Sequence, residues 1–455
     1  MLNAISLIAA CSLFGLSVQI LGLTGLLILP RVQPNDLDAS GRKLRYLAAI
    51  LAGGVIVNYL LGLLCNSFDR AFIAALFLCV AGTLVYLKVN RGLLHALKFD
   101  FSWVTCCFLT AAGVLIGAQI VFEPLYGWDA RSIWFFHAKV INHIGGLYIN
   151  EAWWSVDFPF SHIDYPKMIA YLGAQFAHIA GFWNEYLPKW SLLLLLFPAL
   201  LGIFSFCENR VSFIFLGLLF FVPGSLLWNG YMDGYLAIYA GLGALFALDW
   251  LESNNRVDLV AAVIFLTVAC NLKNEGMVLI GVISVCLMPL IWRKFFKQSS
   301  RIDLWSVSQA VVCVLMIFGL AFLWVCLRQY NGIAGDMQFS GASLTKLSER
   351  FANVDPLLTT MRLMSLAGGL WQSVIVACVS AILYRFVYNR IPSAVLAIIS
   401  MALIYTVILV VVYLSTPYDL VWHLLSSAPR TTLPITFLLG AASYRLLQQF
   451  ERINK

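Results

Sequence analysis

The sequence predicts an all-α integral membrane protein: a polytopic helical bundle of about 13 transmembrane helices, with interfacial helices in the outer loops. Three observations carry that expectation. Of 455 residues, 61% are apolar and only 11% charged, with a mean hydropathy of +0.87. A soluble domain holds roughly 45–50% apolar and ~25% charged residues, so this chain lacks the polar surface to wrap a water-soluble core. The apolar runs are continuous rather than alternating, which excludes a barrel of membrane strands. Lysine and arginine are distributed unevenly between alternate loops, as membrane insertion demands. The same placement accounts for the net charge of +7 (29 Lys+Arg against 22 Asp+Glu) without invoking nucleic acid.

The spans follow in order, each bounded by loop charge. The first, 4–29, stops before Arg31 and has no basic leader, so it reads as a retained helix rather than a signal peptide. Spans over 46–65, 71–87 and 102–122 follow, separated by Arg70 and by Lys88, Arg91 and Lys98. After a long segment come 190–206, 211–228, 234–251 and 257–270, with Arg210 and Arg256 between them. The set closes with 277–292, 306–327, 367–388, 392–415 and 431–448. One side of this arrangement collects 18 of the 29 basic residues, among them Arg31, Arg42, Lys43, Arg45, Arg293, Lys294, Arg390 and Arg445. Eight of the remaining 11 sit in two long loops, which weigh little in the charge bias. The rich side is therefore expected to be cytoplasmic and the amino terminus outside. All eleven cysteines sit in or at the ends of apolar spans, so no disulfide framework is implied. The chain reads as one membrane domain over 1–455, with a bacterial plasma (inner) membrane the expected location.

Two outer segments, 123–189 and 328–366, break the apolar pattern. The first holds four of the six histidines (His137, His143, His162, His178), six carboxylates and five of the fourteen tryptophans. Ile133, Phe136 and Val140 give 130–141 a helical spacing, and Pro166 suits the first turn of a second helix through His178. Short amphipathic helices with Trp and Tyr at headgroup depth are the expectation. Charged residues at span edges are costly near hydrocarbon, and four clusters of them fall on the outer face. These are Asp129 in Tyr126-Gly-Trp-Asp-Ala-Arg131, Asp233 in Asn229-Gly-Tyr-Met-Asp-Gly234, the pair Lys273 and Glu275 in Asn271-Leu-Lys-Asn-Glu-Gly276, and His423 with Arg430.

On these residues the sequence resembles the GT-C superfamily of membrane glycosyltransferases, a group that includes protein O-mannosyltransferases and the lipid A aminoarabinose transferase. The resemblance rests on Trp128-Asp129-Ala130 with Trp134 and Lys139 downstream, on His162-Ile-Asp-Tyr-Pro-Lys167, on Lys273-Asn-Glu-Gly276, and on Trp422-His423 followed by Arg430. It departs from the better-known members in having four spans, not one, ahead of the acidic loop. It implies a polyprenyl-phosphate-linked sugar as donor and transfer, with inversion, to an acceptor hydroxyl on a lipid, glycan or protein at the periplasmic face. Asp129 falls where the family's loop aspartate would serve as base, the alternative being an N-cap of the helix beginning at Ala130. Asp164 is a second catalytic or acceptor-contacting carboxylate, or simply part of an Asp-Tyr-Pro helix start. Arg430 suits the leaving phosphate, with an ion pair or headgroup anchor as the alternative. His423, Lys167, His162 and Lys273 are further donor contacts; Glu275, Trp128 and Tyr165 are substrate contacts. His423 reads equally as a satisfied interfacial residue, Lys273 with Glu275 as a structural ion pair, and Asp233 as turn chemistry.

No metal-site spacing and no nucleotide-binding Gly-rich motif is present. No cofactor is expected beyond room for a divalent cation bridging Asp129 and phosphate, and membrane lipids are the only other partners implied. Two other classes compete: a ligase or polymerase of pyrophosphate-linked oligosaccharides, using Arg328, Lys346, Arg350 and Arg362 of the second outer loop, and a transporter of lipid-linked saccharides. Polar groups gathered at one face, rather than mid-span, disfavour transport.

Overall fold

In the computed structural model, residues 4–96, 103–147, 159–206, 222–298, 304–333 and 341–453 are described, and every regular element among them is helical. The chain begins with α1 (Ala4–Ile20) and the short α2 (Gly22–Leu26), then α3 (Ser40–Cys65), α4 (Phe68–Val89), α5 (Arg91–Ala96) and α6 (Trp103–Phe122). The first outer segment carries α7 (Phe135–Ile144) and α8 (Met168–Ala180). The central helices are α9 (Leu193–Phe204), α10 (Asp233–Ser253), α11 (Arg256–Cys270), α12 (Asn274–Gln298) and α13 (Leu304–Tyr330). The second outer segment carries α14 (Gly341–Ala352) and α15 (Val354–Leu366). The chain then runs through α16 (Leu370–Tyr388), α17 (Ser393–Ser415), α18 (Leu420–Thr431) and α19 (Leu433–Ile453).

Ten helices among the described residues are long and apolar enough to cross a bilayer, so the chain is an integral membrane protein. They fall on ten of the thirteen expected spans. The other three differ in instructive ways. Of 211–228, only 222–228 is described, and it forms a turn with a single 3-10 turn, Gly224–Leu227. The helix over 257–270 has 15 residues, roughly 22 Å at 1.5 Å per residue against a hydrocarbon thickness of ~30 Å. It is buried nearly throughout and packs against α3, α10, α12 and α13, so its apolarity reflects a protein interior on all sides. The last expected span forms α19, which is outside the ten.

The layering follows the same logic. The spans Leu187–Phe204 and Asp233–Ser253 are 83% buried, whereas Phe68–Val89 is 11% buried. The first two form the interior and the last presents Ile73, Phe77 and Leu84 outward, as lipid-facing helices do. Lipid tails are as apolar as the side chains, so helices here are held by close approach and polar contacts rather than by hydrophobic burial. Gly22 and Gly54 let the α1–α2 turn lie directly on α3: a Cβ on Gly54 would run into the carbonyl of Val18, and one on Gly22 into that of Ile50. Asn58 and Gln175 exchange amide hydrogen bonds at 2.7 and 3.3 Å between α3 and α8, and the Thr24 hydroxyl donates to Leu78 O at 2.9 Å.

At the Arg-rich end, α3 begins at Ser40, six residues before the expected span, and so carries Arg45 into the interior. Its guanidinium bonds Asp249 of α10 and Asp258 of α11, each at 2.6 Å, and stacks over the Phe206 ring at 4.3 Å. Arg445 of α19 also pairs with Asp249, and with Glu252 at 3.4 Å. Four inner helices are thus joined by one buried ion network, in which every charge has a partner, as low dielectric requires.

Replacing Gly54 with Ala is expected to cost about 1–3 kcal/mol through overpacking against backbone, visible as a lower melting temperature in detergent. Gly281→Ala, where nothing lies within 4 Å of the added methyl, is the matched control and should be silent.

Candidate functional site

At the opposite end of α10, the first residue of that helix, Asp233, organises a second cluster. Its side chain is 4% exposed and accepts from the Lys273 ammonium at 2.9 Å. Lys273 stands in the break between α11 and α12, where the helix ends at Cys270 and restarts at Asn274. That break aims Lys273 and Glu275 to the same side, with the ammonium 3.2 Å from the Glu275 carboxylate, although residues two apart on a regular helix would diverge. Both line a narrow cleft with Asp233, Tyr405, Arg430 and Thr431.

Arg430 comes from α18, a strongly amphipathic outer helix capped by the Asp419 side chain on Trp422 N at 2.8 Å. One guanidinium nitrogen pairs with Asp129 and lies 3.8 Å from Asp233, the other reaches Ser426 O at 3.4 Å, and the group stacks over the Tyr231 ring at 4.7 Å. Asp129 belongs to the helical stretch before α7, at the head of a wide π-type turn over Ala130–Trp134 in which Phe135 N bonds Ala130 O. The Asp129 side chain makes no capping bond; it turns to Arg430, 301 residues away. π-Turns cost regular hydrogen bonding and collect at functional positions.

A second polar group adjoins the cleft through Tyr165. The tyrosine hydroxyl donates to Glu275 at 3.3 Å, and the ring stacks between Trp134 and His162 at 5.3 and 5.2 Å. Asp164 is not a helix cap, and Pro166 does not open α8, which starts two residues later at Met168. The Asp164 carboxylate instead accepts from Asn274 at 2.7 Å and pairs with Arg328 of α13 at 3.3 Å, while Trp324 holds its carbonyl at 2.9 Å. His162 occupies a left-handed turn, with a φ of 51°. Lys167, buried, donates to Ile163 O at 2.8 Å and to His137 Nδ1 at 3.1 Å, which leaves His137 Nε2 to donate to the Ser161 hydroxyl at 3.2 Å.

The electrostatics differ between the two groups. Burial works against charge on Lys273 and Arg430, but Asp233 and Glu275 more than offset it for the ammonium, and Asp233 and Asp129 for the guanidinium, so both pKa values lie above the ordinary ones. Tyr165 is pushed well up, by burial first and then by Glu275, and stays a hydrogen-bond donor. His137 is held well below its ordinary value by burial, then by Lys167 and His162. His423 is lowered by burial and by Arg350 and Arg430.

Of the residues expected to act, Asp129 pairs with Arg430 and Lys273 with Glu275, the two pairs being joined through Asp233, and Asp164, Tyr165, His162 and Lys167 stand beside them. Trp128 does not join: it is 75% exposed. His423 lies two turns before Arg430 on α18, edge-on to Tyr413 and Tyr418 at 5.1 and 5.8 Å, and does not line the cleft. Asp233, expected to serve turn geometry, is instead the residue through which the two cations are connected. Asn274 lay inside the Lys273-Asn-Glu-Gly276 motif without a role of its own, and Trp324 and Tyr405 carried no signal in the sequence, being ordinary apolar-run residues. Of the second-loop cations, Arg328 pairs with Asp164, while Arg350 and Lys346 are engaged elsewhere. Arg350 holds the carbonyls of Leu414, Thr416 and Tyr418 at 3.0–3.2 Å, where α17 ends, and Lys346 holds Pro417 O at 2.7 Å. Among the described residues, no three His, Cys, Asp or Glu side chains gather as a metal-binding group. Comparisons with family models, curated proteins and solved structures give no match to this chain.

Because His137 is neutral when folded, the unfolded chain binds the extra proton once the pH falls below the ordinary imidazole value of 6.5. Stability should therefore be level above that pH and decline below it. The melting temperature in detergent is expected to drop between about pH 7.5 and about pH 5.5, and to drop less in His137→Gln. An equal drop in both would exclude His137 as the group responsible.

Proposed function

We propose that the protein transfers a sugar from a polyprenyl phosphate to an acceptor hydroxyl at the outer membrane face, with inversion at the anomeric carbon. One observation carries the reading: two cations and three carboxylates from four separate chain segments come together at a single end of the bundle, where Asp233, Lys273, Glu275 and Arg430 line one cleft and Asp129 joins them through Arg430. Keeping so many partly buried charges together costs desolvation, and a site that handles a charged donor at a lipid boundary gives that arrangement a purpose.

In this reading the acceptor oxygen attacks the anomeric carbon from the face opposite the phosphate. The new carbon–oxygen bond forms as the bond to the phosphate oxygen breaks, its electron pair leaving on polyprenyl phosphate, and the hydroxyl proton passes to the Asp129 carboxylate. Arg430 and Lys273 neutralise the departing phosphate, the planar guanidinium offering a fork and the ammonium a point charge. Asp164, fixed by Asn274 and Arg328, and Tyr165, fixed through Glu275, form the adjoining wall, where the sugar or acceptor would rest.

Native mass spectrometry of the gently purified protein should reveal a co-bound polyprenyl-phosphate sugar; a pyrophosphate-linked oligosaccharide in its place would favour the ligase chemistry, and neither, with donor added back, would remove the transferase reading. Asp129→Asn is expected to reduce transfer at least ~100-fold while the protein still folds, the usual scale for loss of a general base. Turnover near wild type would exclude Asp129 from that role. Arg430→Ala should weaken donor binding about tenfold or more, measured by titration of the donor in nanodiscs.

A further inference from the structure

We infer that the Asp129–Arg430 ion pair is a resting contact that the donor phosphate must displace, so that one exchange on Arg430 both binds the anion and frees the base. The inference rests on the transferase reading and adds to it an order of events. Three observations support it.

The guanidinium is already engaged at both terminal nitrogens. One is shared between Asp129 and Asp233, the other contacts Ser426 O, and one face lies on Tyr231. A phosphate that takes the fork of these two nitrogens replaces a present partner.

The two carboxylates on Arg430 are unequal. The Asp129 and Arg430 side chains are 19% and 20% exposed, whereas Asp233 is 4% exposed and also holds Lys273. Asp129 is thus the partner at the solvent-accessible side and the one that can be exchanged, because a partly exposed ion pair is worth little. Asp233 stays, keeping Arg430 oriented while its other partner changes.

The formal charge of the cluster demands a change. Arg430 and Lys273 contribute two positive charges, while Asp129, Asp233 and Glu275 contribute three negative ones. A net negative site repels a phosphate unless a carboxylate gives way. Asp129 is the one whose departure from Arg430 also does chemical work, since a carboxylate bound to a guanidinium is a poor proton acceptor and a released one is not.

The test is equilibrium binding of farnesyl phosphate, with farnesol as the uncharged control, to the full-length protein in nanodiscs of neutral lipid. Asp129→Asn, incapable of the competing ion pair, is expected to bind farnesyl phosphate about tenfold tighter than wild type, as when a closed state occupied nine times in ten is removed. Glu275→Gln removes the same formal charge without touching Arg430, so it reports the electrostatic part alone and should tighten binding clearly less than Asp129→Asn does. Arg430→Lys, keeping the charge but losing the fork, should weaken binding. Farnesol should bind all forms alike. Melting temperatures establish that each variant is folded, and Asp129→Ala carries the same expectation if the amide is not. If wild type binds farnesyl phosphate but Asp129→Asn binds no tighter, or Glu275→Gln tightens binding as much, the exchange is overturned while the transferase reading stands. If farnesyl phosphate binds no form better than farnesol does, both are overturned.

Discussion

Buried charge must be paired, and in this chain that requirement falls on α10. The helix carries Asp233 at its first turn and Asp249 near its last, roughly 24 Å apart at 1.5 Å per residue. Asp233 is buried and Asp249 partly so, and each draws cations from elements distant in sequence: Arg45 and Arg445 at one end, Lys273 and Arg430 at the other. The helices that supply these cations, α3, α19, the head of α12 and α18, are held around α10 as a result. The remaining spans need only lipid-compatible surfaces and close packing.

The two ends use the same chemistry differently. The Arg45 network is enclosed by Phe206, Phe246 and Ser205 and ties helices to one another. The Asp233 cluster is assembled from interruptions: a helix break at 271–273, a π-type turn after Asp129, and an amphipathic helix lying outside the spans. Regular helices satisfy their own backbone and point side chains outward. Where they stop, backbone groups and polar side chains can face a common space, provided protein rather than lipid surrounds them. That is why the polar residues that could do chemistry sit at one end of the molecule.

Much of this was legible from residues alone. The edge motifs around Asp129, Lys273 and Arg430 stood out because charge beside hydrocarbon is expensive, and the three are joined at one end of the bundle through Arg430 and Asp233. Where a local alternative failed, the cause is shared. Asp129 and Asp164 sit where local rules make Asp a helix starter, and Asp233 where they make it a turn residue; in each case a cation from elsewhere in the chain outbids the local hydrogen bond. Lys346 and Arg350, which the competing ligase reading would use, place their charge on the exposed carbonyls where α17 ends, which no local pattern reveals.

Composition and the continuity of apolar runs were sufficient to determine a helical membrane protein, because hydrocarbon admits few structures and the cost of breaking that rule is paid residue by residue. The same rule marked which residues were out of place and so worth attention. Only the tertiary structure decided what those residues do with one another: that Arg45 lies within the bundle, that the 15 residues of α11 form an interior helix with apolar neighbours on every side, and that Asp233 joins Lys273 to Arg430. Pairing between positions hundreds of residues apart depends on how helices are arranged around one another, and the apolar surfaces that arrange them are too alike in sequence to specify it.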